Sequence, residues 1–178
     1  MANARSEPAG VRSRGGFTAL EALLAAAILA FLTAAVSAAL LAGRAQSHLA
    51  RDTLNASILG QSLMNEIARL PITDPQGYNN GPSSTETARS LYDNVGDYTG
   101  YTDGPGNVPD GNGVVHPITD LAGNAYPAEY QPLARSVTLT SVQASPTGWN
   151  RTLNGIQITV TVSRDGLQLV TLQRIVWN

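Results

Sequence analysis

One acid, Glu21, stands at the head of an uncharged run from Ala22 to Ala42. A carboxylate there is costly in lipid unless it is protonated or paired. Just ahead lies Gly15-Gly16, a small-residue cleavage site followed by Phe17, behind a leader that carries Arg5, Arg12 and Arg14. A secretory signal is cut after its apolar region. Scission here, before that region, leaves the membrane segment on the mature chain. If Gly16 is removed, the new α-amino group of Phe17 lies about one helical turn from Glu21. That amine, or one from a neighbouring chain, would neutralise the acid.

A second group of residues suits metal chemistry. Asp103, Asn107, Asp110, Asn112 and Asp120 fall in a glycine-rich loop, with Asp93 and Asp97 shortly before it. Hard oxygen donors of this kind fit a structural calcium ion. The spacing is not that of an EF-hand, and Asp-Gly and Asn-Gly pairs are also ordinary turn formers. Both readings stay open, and no other cofactor is indicated.

Other chemistries find little support. The chain has no cysteine, so neither disulfides nor thiol reactions apply. His48 and His116 have no second histidine at ligand spacing, and no serine sits in a glycine elbow. Gly104-Pro105-Gly106 fails as a phosphate loop because proline removes an amide donor. The expectation is a protein that is not an enzyme. Arg89, Arg135 and Arg151 are too sparse among the aromatics for a nucleic-acid groove, so no nucleic-acid partner is expected.

The elements that must position these residues follow from periodicity. Ala22 to Ala42 makes a helix of roughly 30 Å, enough to span a bilayer. Thr33 and Ser37 interrupt it, but their hydroxyls can bond back to the helix. No proline occurs between Phe17 and Leu70, and Pro71 supplies a stop. Ala56, Leu59, Leu63, Ile67 and Leu70 recur at spacings of three and four, an apolar stripe that should pack on a sheet. Gly43 and Gly60 are the expected weak points of the helix.

Ile72 to Pro132 is dominated by loop residues, apart from an aromatic and acidic stretch over 90–101 and a possible short strand, Val114-Val115-His116. Ile156 to Ser163 alternates apolar and polar, Arg164-Asp165-Gly166 turns, and Leu167 to Trp177 returns. Lost alternation at Leu169-Val170 predicts a bulge or burial on both faces. Ala134 to Gln143 makes a third strand. Five regions result: a basic leader over 1–16, a membrane helix over 17–43, its amphipathic continuation over 44–70, a loop-rich region over 71–132 and an antiparallel β-meander over 133–178. The fold class is α+β.

Gly16-Phe17-Thr18-Ala19-Leu20-Glu21 ahead of the apolar run resembles the cleavage and methylation signal of type IV prepilins and type II secretion pseudopilins. Ala19 stands where that family more often has a larger aliphatic, and Ala38 where many pilins have proline. The second departure leans toward a minor pilin or pseudopilin. Ser47 to Pro75 is also similar to minor pilins of the mannose-sensitive haemagglutinin group. The resemblance implies a pilin-like fold, cleavage between Gly16 and Phe17 by prepilin peptidase, N-methylation of Phe17, and a role for Glu21 in registering one subunit against the next. It also implies an inner-membrane assembly platform and other pilin or pseudopilin subunits as partners.

Charge adds a topology. Three of the eleven arginines precede Phe17 against Glu7 alone, leaving eight arginines against twelve acids beyond it. The N-terminus should stay cytoplasmic and the C-terminal domain should cross. With the resemblance, that implies a single-pass protein of the bacterial inner membrane with a periplasmic domain, entering a filament on assembly. The alternative is a membrane-anchored binding or adhesion protein that does not polymerise, with the oxygen-rich loop or Tyr92, Tyr98, Tyr101 and Trp149 as its binding surface.

Overall fold

The computed structural model describes residues 17–75, 77, 81–105, 117–148 and 151–178. Val114-Val115-His116 and Trp149 lie outside them. Contacts divide the chain into two units, Met1–Ser47 and His48–Asn178.

In the first unit the only described element is helix α1, which runs Ala19–Ile67 and so continues into the second unit. Every residue from 17 to 51 is exposed. The Thr33 hydroxyl donates to the Leu29 carbonyl, the back-bond that lets a hydroxyl sit in an apolar helix. This helix is long and apolar enough to cross a membrane. An apolar surface with no protein cover requires lipid or other chains around it.

In the second unit the character of α1 changes. Asn55, Ala56, Leu59, Gly60, Leu63, Met64 and Ile67 are buried, the period of three and four expected of a stripe facing a sheet. Leu63, Met64 and Ile67 pack with Val137, Ile158 and Val160, while Ala56 and Leu59 pack with Ile118, Leu133 and Val162. Each fully buried Leu or Ile contributes about 1.5–3 kcal/mol, so this stripe holds helix to sheet. Gly60 is less a weak point than a closest approach. A Cβ on it would lie 3.1 Å from Leu172 Cδ1 and 3.3 Å from Val162 Cγ2.

α1 ends three residues before the expected Leu70. Ala68 N still bonds the Met64 carbonyl, but Arg69 and Leu70 bond three residues back, to Glu66 and Ile67. The last turn thus tightens to 3-10 geometry before Pro71, a common way to end an α-helix.

The sheet has four antiparallel strands in the order β1 (Thr102–Asp103), β2 (Leu133–Ala144), β3 (Leu153–Arg164) and β4 (Leu167–Trp177). β2 to β4 are the expected meander, with β2 and β3 longer than alternation alone marks. Asp165 (φ 50) and Gly166 (φ 79) form the two-residue connection, left-handed at both positions as a type I′ hairpin requires. Val162 pairs with Val170 but Ser163 with Gln168, so Leu169 is the extra residue of a bulge, at the place where alternation fails. Arg164 Nη1 donates to Asp52 Oδ2 at 2.5 Å, tying this turn to α1. The short β1 was not expected. It is the only described strand from the loop-rich region, which also forms 3-10 turns at Arg89–Leu91 and Val95–Tyr98.

Candidate functional site: a capped acid and a buried charge clamp

At the head of α1, Glu21 is not a bare acid. Its Oε2 accepts from Thr18 N at 3.0 Å and from Thr18 Oγ1 at 3.1 Å, and Glu21 N donates to Thr18 Oγ1 at 3.3 Å. This is a capping box, in which Thr18 precedes the first turn and Glu21 reaches back to it. The signal was legible as Thr-x-x-Glu. The carboxylate also favours the positive end of the helix dipole. Glu21 therefore has a local task besides any task in assembly. Phe17 is exposed, while Gly16 lies outside the described residues.

The acids expected as calcium ligands are distributed differently. Asn107, Asp110 and Asn112 lie outside the described residues. Asp120 forms a turn: Asn124 N donates to its Oδ1 at 2.8 Å and Asn124 Nδ2 to its Oδ2 at 3.0 Å. Hydrogen bonds from Asn124 hold the Asp120 carboxyl below its ordinary range. Asp103, from β1, is buried and faces arginine rather than open space. Arg135 Nε donates to its Oδ1 at 2.9 Å, and Arg135 Nη2 to its Oδ2. A calcium ion on the glycine-rich loop would have to displace this pairing to use Asp103.

Asp103 belongs to a clamp joining five separate stretches of chain. Arg135 (β2) is 1% exposed; its Nη2 also donates to the Thr119 carbonyl at 2.9 Å. Arg89, from the first 3-10 turn, donates to the Tyr101 hydroxyl at 2.7 Å and to the same Thr119 carbonyl at 2.8 Å. It pairs with Glu66 of α1 at 3.0 Å. Tyr101 donates to Asp103 Oδ2 at 2.9 Å, and Tyr98 donates to Glu66 Oε1. Two guanidiniums face two carboxylates, so the buried charge is balanced, the condition under which such groups are tolerated. Tyr98 also packs edge-on to Tyr92, centroids 5.0 Å apart. Tyr92, Tyr98 and Tyr101 therefore serve the core rather than an open aromatic face.

A hollow of about 650 Å³ opens beside the clamp, edged by Ser62, Glu66, Arg69, Tyr92, Tyr98 and Tyr126. Glu66 Oε1 is already engaged by Tyr98 and Arg89. No family model matches this chain, and neither a curated protein nor a solved structure does.

Chemically, the clamp is a set of donors already spent. Burial, with the Glu66 charge behind it, pushes the Tyr98 phenol well above its ordinary range. Burial and Asp103 do the same for Tyr101. Both rings stay protonated and donate. Because the folded values lie above the unfolded one, the stability they contribute is complete below the ordinary tyrosine value of 10.0. It is lost as pH rises beyond that value. An alkaline titration followed by circular dichroism and tyrosinate absorbance should show sheet loss coincident with ionisation. Ionisation of all tyrosines near their ordinary value, with the fold intact, would contradict this assignment.

Neither Glu66, Arg89 nor Arg135 stood out in the sequence. No local pattern pairs residues 32 positions apart, as Arg135 and Asp103 are.

Proposed function

We propose that this chain is a minor pilin or pseudopilin, a structural subunit of a type IV pilus or type II secretion pseudopilus that assembles through its N-terminal helix. One observation carries the reading: a single helix begins in a fully exposed apolar run and ends with one apolar face buried under a sheet. The exposed half needs a lipid or helical environment, and an alanine-rich surface suits close helix–helix approach in both. The sheet unit would stand in the periplasm and then on the filament surface. The role is mechanical, not catalytic. Prepilin peptidase would cut after Gly16, Phe17 would be N-methylated, and Glu21 would meet the amine of a neighbouring subunit at the assembly platform.

Intact-mass measurement of the chain from cells with active prepilin peptidase tests this. The expected product begins at methylated Phe17 and lacks Met1 to Gly16. Recovery of the uncut chain would instead favour the anchored binding or adhesion protein.

A further inference from the structure

Three carboxylates outside the clamp converge in the loop that follows α1. Glu86, Asp93 and Asp97 each bring one oxygen within 4.8 Å of the other two. Glu86 and Asp97 are buried and Asp93 half-buried. Among the described residues, no basic side chain pairs with any of the three. Like charges at this range favour either bound protons or a cation between them.

Each acid is held in place. Asp97 Oδ2 accepts from Asp93 N and Asn94 N, both at 3.0 Å, and its Oδ1 from Asn94 Nδ2 at 2.8 Å. Glu86 is fixed through Oε2, which accepts from Ser83 N at 2.6 Å. Its other oxygen, Oε1, is buried with no hydrogen-bond partner, on a residue only 9% exposed. Glu86 and Asp93 line a cavity of about 280 Å³ with Ser83, Thr85 and Leu91. A second orphan, Asn94 Oδ1, lies in the same loop on a fully buried residue.

We propose that Glu86, Asp93 and Asp97 bind a divalent cation of calcium's kind. Calcium–oxygen bonds of 2.3–2.6 Å let two ligands of one ion stand up to about 5 Å apart, so the spacing of each pair of these acids suits a shared ion. The ion would supply the partner that Glu86 Oε1 lacks, and buried acceptors without donors are costly. The site closes the stretch between the two 3-10 turns and is separate from Asp103, which Arg135 occupies. It rests on residues of the sheet unit and is independent of how the chain assembles.

Terbium titration of the full chain, stripped by chelator in detergent micelles, is the test. Terbium emits when excited through a nearby tyrosine, and Tyr92 directly precedes Asp93. The expected result is saturable sensitised emission displaced by calcium, with a melting temperature that rises with calcium and falls back with chelator. Glu86→Gln should weaken binding at least about tenfold, whereas Asp110→Asn in the glycine-rich loop should not. Asp93→Asn gives the same answer should Glu86→Gln fail to fold. Three outcomes overturn the proposal: no sensitised emission, equal binding by the Glu86 or Asp93 variant, or competition only above about 10 mM calcium, beyond the range of extracellular calcium modules.

Discussion

Asp103→Asn is expected to destabilise the sheet unit by about 3–5 kcal/mol, the cost of stripping one partner from a buried ion pair. Asparagine keeps the shape of Asp103 but removes the charge that faces Arg135. With Arg135 only 1% exposed, its guanidinium would be left without a counter-ion. Arg89 Nη1, 3.5 Å from Asp103 Oδ2, would then add repulsion. The clamp also ties β1 to β2 at the Asp103↔Arg135 register pair, so the loop leading into β1 should loosen with it. The double replacement Asp103→Leu with Arg135→Met should recover most of the loss, because both charges leave together while Arg89 and Glu66 still balance. Urea denaturation of the full chain in detergent, followed by circular dichroism, reads both effects. A loss below about 1 kcal/mol for Asp103→Asn, the range of an exposed pair, would mean that water reaches Arg135.

Assembly should depend on the charge of Glu21 rather than on its capping bonds, and three substitutions separate the two. Thr18→Ala removes the hydroxyl half of the capping box and leaves the charge, at a cost of about 1 kcal/mol to the helix start. Glu21→Gln keeps an acceptor for Thr18 N, since glutamine also serves at that position, but removes the charge. Glu21→Ala removes both. If the acid meets a neighbouring subunit's amine within apolar surroundings, Gln and Ala should both be lost from sheared filaments by at least about tenfold. That follows from a cost of about 2.5–3.5 kcal/mol for an unpaired charge at membrane depth. Thr18→Ala should incorporate nearly normally. Equal incorporation of Glu21→Gln and the unaltered chain would reduce Glu21 to a helix cap.

Some of this architecture was legible because its causes are local. The exposed half of α1 needs only an uncharged run of sufficient length, and the buried half only apolar residues at helical spacing. The β3–β4 hairpin is written in the alternation of Ile156 to Ser163 and in Asp165-Gly166, and the bulge in its return strand shows as the break at Leu169-Val170. Thr18 and Glu21 also form a readable pair, at the Thr-x-x-Glu spacing of a capping box. The end of α1 was less legible. Pro71 forbids continuation, but where the last turn tightens depends on what Leu70 and its neighbours pack against.

What the sequence by itself determined is the set of features coded over a few residues: the apolar helix, its cap, the stripe and the hairpin. Hydrogen bonding and side-chain period along one segment suffice for these. Only the tertiary structure decided which acids are paired with arginine and which are not. Asp103 looked like a loop ligand and is buried against Arg135, whereas Glu86 looked unremarkable and carries an orphan oxygen beside two other carboxylates. The energy of a buried charge depends on its neighbours in space. Those neighbours come from α1, the 3-10 turns and β2, which only folding brings together. Glu21, the most conspicuous acid in the sequence, is the case between: its cap is local, and the partner we propose for it lies on another chain.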